Sequence, residues 1–264
     1  MKKQVFNQGE YTGKIEDKVS INGGIVSRTY YTRNSNPEWH CHENLHIVFV
    51  FQNGLSQKKR VDNYTDHKGK AIFFHSGEIH RFLSPAIISK SANVELSEAF
   101  LKKYDLTEHE VNYNFSKQQN PKSLLLAMQS ELIRKEQNQD QNVLSILLEL
   151  ISEPQTISPS APRWLSQLEE LLHDQWTEDF SLHELSNYLN IHPVTISKYF
   201  RKHFGCTLGQ YRRKQRIERS IDLIKSSNLS LTEIAHYCGF ADQSHFIRTF
   251  KEHTHLLPNL YRKL

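Results

Sequence analysis

An internal repeat constrains the fold of this chain more than any other feature. Ser181-Leu-His-Glu184 and Ser230-Leu-Thr-Glu233 have the pattern of a capping box, in which a serine hydroxyl and a glutamate carboxylate accept from two amides at the start of a helix. After each box a short apolar stretch meets a turn, and a second stretch with helical apolar spacing follows. This arrangement recurs about 50 residues along the chain and predicts two helix-turn-helix units.

The basic residues of the chain are concentrated around the first predicted unit. The whole chain of 264 residues has a formal charge of only +4, but residues 192–219 contain eight basic residues and one acidic residue. Such a patch attracts phosphate groups and makes binding depend on the salt concentration. Charge alone leaves open a solvated helix face without a partner, whereas the repeat beside the patch favours DNA.

The second helix of each predicted unit carries side chains that suit a DNA groove. By the chemistry of base edges, Lys198 and Arg248 are candidates for guanine, and Gln243 is a candidate for adenine. The remaining basic residues suit phosphates, and an ordinary solvated role stays open for each of these side chains. The predicted DNA-binding residues are Val194, Thr195, Ser197, Lys198, Arg201, Lys202, Gln243, Ser244, Ile247, Arg248 and Lys251.

Two motifs in the C-terminal part are specific enough to suggest a family. They are Ser197-Lys-Tyr-Phe-Arg-Lys-His-Phe-Gly205 and Gly239-Phe-Ala-Asp-Gln-Ser-His-Phe-Ile-Arg-Thr-Phe-Lys251. With them, residues 163–264 resemble the DNA-binding domain of the AraC/XylS family of bacterial transcription regulators. The resemblance implies two helix-turn-helix units, joined by a long helix over 208–224, that enter adjacent major grooves. The sequence departs from the family in two places. A glycine near the end is replaced by His255, which adopts positive φ only at a cost, and Pro193 and Val194 replace the longer or polar residues common at the start of the first recognition helix.

The chain before this region predicts a second domain of different character. Residues 153–162 contain three prolines and predict a linker after a domain at 1–152. Short apolar runs broken by turn signals predict strands over about 20–96, and residues 97–151 have helical spacing. An antiparallel helix pair over 122–151 is predicted to pack on the β-rich part or to form a homodimer. The predicted fold class is α+β and multidomain, with an all-α C-terminal domain.

Four histidines of the β-rich part are close together in the predicted strand order. His40, His42 and His46 come from one stretch and His80 from the next strand pair. Their spacing, with the glycines that follow, resembles the two motifs of cupins, which are small β-barrels whose inward side chains line one pocket. The resemblance implies a cupin-like barrel with metal ligands at His40, His42 and His80, while His46 stands where cupins have a glutamate.

Three interpretations of these histidines stay open. Neutral imidazoles suit a divalent metal such as Zn²⁺, Fe²⁺, Ni²⁺ or Cu²⁺. The sensor domains of the resembled family often hold an organic effector without metal, and aromatic faces with a few polar groups suit a sugar or related metabolite. The histidines are purely structural in the third interpretation. The predicted effector pocket consists of His40, His42, His46, His80, Trp39 and Arg81.

These observations together predict a ligand-responsive transcription regulator that is not an enzyme, because no Ser/His/Asp set or phosphate loop is present. The expected partners are promoter DNA, a small-molecule effector, a second copy of the chain and, for an activator, RNA polymerase, with no cofactor needed for DNA binding. The longest apolar run, residues 45–51, is far below the roughly 20 residues of a membrane span. Three scattered cysteines predict free thiols, so the expected location is the cytoplasm. A metal-dependent cupin enzyme and a helical protein-interaction module are the alternatives.

Overall fold

The structure is a computed structural model that describes residues 4–32, 35, 38–52, 57–59, 71–82, 88–153 and 161–264. Among these residues a β-rich part precedes a helical part, which confirms an α+β chain with a helical C-terminal region. The strands are β1 (Gln4–Phe6), β2 (Lys14–Ile21), β3 (Gly24–Tyr31), β4 (His40–His42), β5 (Leu45–Gln52), β6 (Gln57–Lys59), β7 (Ala71–Phe74), β8 (His80–Phe82) and β9 (Ser89–Leu96).

The strands form two sheets that face each other. Their orders are β1-β4-β8-β6 and β2-β3-β9-β5-β7. Side chains join the sheets: His42 of β4 lies beside His46 of β5, and Phe82 of β8 packs on Tyr31 of β3. Alternation along β9 sends Asn93 and Glu95 to one face of the larger sheet and Val94 and Leu96 to the other. The histidines therefore lie on one side of that sheet, beside a small apolar cluster that includes Tyr31 and Phe82, and the large apolar core lies on the other side.

The closed barrel implied by the cupin resemblance is not observed. Within the described strands, no ladder connects the edges of the two sheets, which are formed by β1 and β6 and by β2 and β7. A barrel needs a continuous hydrogen-bonded ladder around its circumference. Here the consecutive strands β4 and β5 belong to different sheets, because β4 pairs with β1 and β8 while β5 pairs with β7 and β9. The β-rich region is an open pair of sheets as far as the structure describes it.

The helices agree with the predicted periodicities. The pair over 122–151 is α3 and α4, the long helix over 208–224 is α8, and both serine capping boxes form with both of their hydrogen bonds. The helices are α1 (Glu98–Lys103), α2 (Glu108–Lys117), α3 (Pro121–Arg134), α4 (Gln139–Ile151), α5 (Arg163–Asp174), α6 (Leu182–Leu189), α7 (Pro193–Phe204), α8 (Leu208–Ser226), α9 (Leu231–Tyr237), α10 (Gln243–Thr254) and α11 (Pro258–Lys263).

Helix α2 lies inside the predicted helical region 97–151, although no apolar repeat of its own marked its position. It begins at Thr107, whose hydroxyl accepts from the amide of Glu110, and the Glu110 carboxylate accepts from the amide of Thr107. This is the same capping box that marks α6 and α9. The signal was present in the sequence, but the apolar face of α2 is short and buries only Val111 and Phe115 among its apolar residues.

The apolar interior is divided in a way that the sequence does not indicate. One continuous core includes the outer face of the larger sheet, α3, α4 and the helices α8, α9, α10 and α11. A separate core joins α5, α6, α7 and the start of α8, with Leu168, Leu185 and Phe200 inside it. The second predicted helix-turn-helix unit therefore shares its core with the N-terminal region, and the first unit has a core of its own.

Helix α3 lies in the middle of the larger core. All ten residues from Ser123 to Leu132 are buried, because the sheet, α4, α8 and α10 surround them. The buried stretch of α3 therefore packs on the β-rich part, which is one of the two arrangements predicted for the helix pair, and it offers no surface to a second copy of the chain. Helix α4 keeps an outer face on which Leu144 and Leu148 are half-buried.

Two further sequence predictions concern the linker and the membrane. Of the predicted linker 153–162, residues 154–160 lie outside the described residues. None of the helices that the structure describes is long and apolar enough to cross a bilayer.

Candidate nucleic-acid interface and histidine cluster

The first helix pair presents a polar and basic face on α7. Asn190, with φ of 54°, ends α6, and α7 begins after His192. Ile196 and Phe200 are buried on the inner side of α7. The outer side carries the predicted DNA-binding residues, of which Thr195 is half-buried and the others are exposed. The exposed residues are Val194, Ser197, Lys198, Arg201 and Lys202.

The second helix pair presents a smaller face on α10. Asp242 begins α10 by accepting from the amide of His245. Ser244, Arg248 and Lys251 are exposed on its outer side, as predicted, whereas Ile247 packs against the larger core. Gln243 is half-buried, and its side-chain oxygen accepts from the Thr232 hydroxyl at 2.7 Å. Ser244, Arg248 and Lys251 are therefore the predicted residues of α10 that are most available to DNA.

Two arginines of the predicted basic patch have a structural role instead. Arg216 is buried, and its guanidinium donates to the carbonyls of Gly239 and Thr177 and to Asp179. Arg212 is also buried and faces Asp179 at 3.4 Å. These contacts hold α8 against the segment before α6 and the turn after α9. The basic surface is consequently smaller than the count of charges in 192–219 suggests.

Comparison with known families agrees with this geometry. A family model described as a helix-turn-helix domain matches residues 185–264, the segment that contains both helix pairs apart from the first turn of α6. Residues 185–264 are an AraC-type helix-turn-helix domain. The exposed faces of α7 and α10 both belong to this AraC-type domain.

Several regulators are similar to part of this chain. The HTH-type transcriptional regulator GbdR of Pseudomonas aeruginosa is 29% identical over 94 residues, which cover 36% of this chain and 26% of GbdR. The HTH-type transcriptional activator RhaS of Salmonella arizonae is 28% identical over 99 residues, which cover 38% of this chain and 36% of RhaS. The chain thus spans about a quarter to a third of the length of these relatives.

Among solved structures, the C-terminal domain of AraT, a response regulator from Geobacillus stearothermophilus, is similar to part of this chain. It is 26% identical, with a TM-score of 0.37, and the match covers 40% of this chain and 86% of that one.

The four predicted histidines lie together between the two sheets. His40, His42 and His80 come from the smaller sheet and His46 from the larger one, and each is at most 2% exposed. The rings are in contact: the centroids of His40 and His80 are 4.5 Å apart, and those of His42 and His46 are 4.3 Å apart. Tyr11 lies against His42 and His46 at the N-terminal side of the cluster.

Acceptor-only partners determine which ring nitrogen of three histidines carries the proton. His40 Nδ1 lies 2.9 Å from the Glu38 carbonyl, and His80 Nδ1 lies 2.9 Å from the Glu78 carbonyl. His42 Nδ1 lies 3.0 Å from a carboxylate oxygen of Glu95. Carbonyl and carboxylate oxygens only accept, so each Nδ1 is the donor and each Nε2 carries a lone pair in the neutral ring.

Burial favours the neutral form of His40 and His46. It lowers the pKa of His40 to about 4, although the Glu38 carbonyl opposes this shift. Burial and the neighbouring His42 ring lower the pKa of His46 well below its usual range. Neutral rings with an available lone pair are the form in which histidine binds a metal.

The three histidines that the cupin resemblance implies as metal ligands are arranged so that they could hold one ion. One ligand atom from each of His40, His42 and His80 lies within 4.8 Å of the other two. His40 Nε2 is buried without a hydrogen-bond partner, as expected for a nitrogen that serves as a ligand. His46 is turned differently, since its Nε2 lies 3.1 Å from the side-chain oxygen of Asn93.

The structure does not bring all of the predicted pocket residues to the cluster. The Arg81 guanidinium lies 4.9 Å from the centre of the Trp39 ring, so these two residues form a pair of their own. Sequence reasoning missed Glu95, which contacts His42 and accepts from the Gly9 amide at 2.6 Å. The alternation of polar residues along β9, at positions 91, 93 and 95, was the available signal.

Helix α3 connects the N-terminal region with the AraC-type domain. The cap residue of α3, Asn120, makes no side-chain capping bond. Instead, the Glu218 carboxylate of α8 accepts from the amides of Lys122 and Ser123 at 3.3 and 2.8 Å. The Lys122 ammonium also donates to Asp222 at 2.6 Å. The DNA-binding region thus supplies the acceptors that the start of α3 lacks.

The other end of α3 contacts the end of α10. His255 ends α10 with φ of 56°, and its carbonyl accepts from Ser130 and Arg134 of α3 at 3.0 and 2.7 Å. The residue that departs from the family pattern therefore adopts the left-handed conformation of the glycine and contacts the N-terminal region. Burial raises the pKa of Glu218 at the opposite end to about 7, although the Ser123 amide and Lys122 favour its ionised form.

Proposed function

We propose that this chain is a sequence-specific transcription regulator that binds promoter DNA through 163–264. The observation that carries the proposal is the exposed polar and basic face of α7 within the AraC-type domain, together with that of α10. In this proposal the two helix pairs act as two helix-turn-helix units, and α7 and α10 enter successive major grooves. GbdR and RhaS are named as transcription regulators, which supports a regulator and not an enzyme.

The exposed side chains divide into two roles. Arg248 has a planar guanidinium that suits bidentate contact with guanine, and Lys198 suits the same base as a point charge. Arg201, Lys202 and Lys251 lie at the later turns of α7 and α10 and suit phosphates, which add affinity without sequence preference. Ile247 packs on the larger core, so only its partly exposed side could reach the DNA.

The β-rich region is proposed to sense a small effector, and α3 is proposed to transmit its state. α3 contacts the larger sheet and α4 on one side and α8 and α10 on the other. A change in the position of α3 would therefore move the second unit relative to the first. Coupling of this kind between two sites is typically worth about 1–3 kcal/mol.

The assembly proposed for the regulator follows from the faces that remain free. Because α3 is covered within the chain, a homodimer would form through the outer face of α4. Promoter binding in the cytoplasm, and contact with RNA polymerase if the protein is an activator, complete the proposal.

Selection of bound sequences from random DNA by the purified full-length protein tests this function. We expect enrichment of one motif, with an affinity that falls steeply as the salt concentration rises. A variant with Lys198→Ala and Arg248→Ala should no longer enrich the motif. No enrichment, or an affinity that does not change with salt, would contradict the proposal and favour a helical protein-interaction module.

A further inference from the structure

The histidine cluster is too closely packed to hold an organic effector. His40, His42 and His80 are at most 2% exposed, and their ring centroids are 4.5–5.6 Å apart, which is contact distance for aromatic rings. Phe6 and Tyr11 of the N-terminal segment lie against the same rings. A sugar would have to displace several of these side chains, whereas a single ion needs only the space between three nitrogen atoms.

The hydrogen bonds around the cluster are those of a metal site. Histidines that bind a metal almost always donate their second ring nitrogen to a carbonyl or a carboxylate, which fixes the tautomer and orients the ring. His40, His42 and His80 do so with Glu38, Glu95 and Glu78 respectively. The same three residues also place one ring nitrogen each within 4.8 Å of the other two, which a purely structural role does not require.

We infer that His40, His42 and His80 bind one divalent transition-metal ion of the zinc class, and that this ion is the effector of the β-rich region. Three imidazoles that each hold Nδ1 against an oxygen acceptor suit Zn²⁺, whose bonds to nitrogen are about 2.0–2.1 Å long. Glu95 is a positioning residue in this site, because its carboxylate lies against His42 Nδ1 and it is not among the three grouped ligand residues. The effector role rests on the proposed function, whereas the binding of the ion does not.

Glu95 also gives the site a connection to the rest of the chain. Its second carboxylate oxygen accepts from the Gly9 amide, and β9, on which it lies, pairs with β3 and β5 in the sheet that packs on α3. An ion that tightens the His42–Glu95 contact therefore acts on the strand at the centre of that sheet. This is the physical route by which occupation of the site would reach α3.

Titration of the metal-free full-length protein with ZnCl₂, followed by calorimetry, tests the site. We expect one ion per chain, and CoCl₂ as a second probe should give the intense visible absorption of a tetrahedral site. His40→Gln and His80→Gln should lose this binding, and Glu95→Gln should weaken it by about 10–100-fold. His75→Ala is the matched control, because His75 is a half-exposed histidine that pairs with Glu108 outside the cluster.

Each remaining outcome decides one part of the inference. Failure of the wild-type protein to bind any of Zn²⁺, Co²⁺ or Ni²⁺ would overturn the site, and so would equal loss in the His75→Ala control. If one ion binds, affinity for the selected DNA should change by about 5–150-fold between the metal-free and loaded protein. An unchanged affinity would overturn the effector role. Absence of sequence-specific DNA binding in both states would instead overturn the proposed regulator and leave the metal site intact.

Discussion

At the scale of single residues, the same side-chain type serves different purposes according to its burial. Arg248 is exposed on α10, whereas Arg216 is buried on α8 and holds two carbonyls and a carboxylate. Gly239, one of these partners, has φ of 73°, and a Cβ there would lie 2.9 Å from the Arg216 guanidinium. The charge of an arginine therefore does not by itself indicate contact with DNA.

Replacement of Arg248 tests its role at the interface. Arg248→Ala should weaken binding of full-length protein to its selected DNA by about 1–3 kcal/mol and relax the preference at one base pair. Fluorescence anisotropy with a panel of single-base variants measures both effects. Lys263→Ala, an exposed cation on α11, is the control and should change neither. A uniform loss over all sequences would show that Arg248 binds phosphate.

Replacement of Arg216 should act on stability. Arg216→Ala removes a buried guanidinium together with the three hydrogen bonds that it donates. We therefore expect the free energy of unfolding to fall by about 2–3 kcal/mol. Urea unfolding followed by circular dichroism measures this loss. The exposed neighbour Arg213 provides the comparison, since Arg213→Ala should change stability by less than about 0.5 kcal/mol. Equal effects of the two changes would contradict the structural role of Arg216.

At the scale of elements, the start of α3 depends on another element. Pro121 suits the first turn of a helix, but no side chain near it in sequence accepts from the free amides. The acceptor is Glu218 on α8, which the chain reaches only after about a hundred further residues. The capping boxes of α6 and α9, by contrast, are complete within four residues each.

Glu218 should also make stability depend on pH. Its pKa in the folded protein is about 7, above the ordinary value of 4.5, so the folded chain binds this proton more tightly than the unfolded chain. The contribution of Glu218 to stability is therefore full below about pH 4.5 and is lost as the pH rises through about 7. Glu218→Gln keeps an acceptor for the amides and removes the titration. The stability of wild type relative to Glu218→Gln should fall over this range, and parallel curves would contradict the assignment.

At the scale of the whole molecule, the division of the core decides which parts unfold together. The β-rich region, α3 and the second helix pair share one core, while α5, α6 and α7 have another. Arg216 makes polar contacts with both helix pairs, through Gly239 of one and Asp179 before the other. The elements that share an apolar core are therefore not simply those that follow one another along the chain.

Hydrogen exchange of the full-length protein tests this division. Amides of α10 should be as strongly protected from exchange as those of the larger sheet. The free energy of opening measured for amides of α6 and α7 should be lower. Arg216→Ala should lower the protection of α6 and α7 further and leave that of β9 unchanged. Equal protection of both helix pairs, different from that of the sheet, would contradict a core shared with the N-terminal region.

The sequence by itself determined those features that depend on neighbours in the chain. Both serine capping boxes, the apolar spacing of α7, α8 and α10, and the exposed residues of α7 could all be predicted. Capping and amphipathic spacing act over three or four residues, so a linear pattern carries them completely. The proximity of the four histidines was predicted as well, through their resemblance to a known pair of motifs.

Only the tertiary structure decided which residues from distant parts of the chain share a site. It brought Glu95 to His42, turned Arg212 and Arg216 inward, buried α3 and separated the strands into two open sheets instead of a barrel. It also used His255, a departure from the family pattern, as a contact for α3. Burial and long-range hydrogen bonds arise between segments that a linear pattern leaves independent. For this reason neither the core that the second helix pair shares with the N-terminal region nor the contacts of α3 with α8 and α10 could be predicted from sequence.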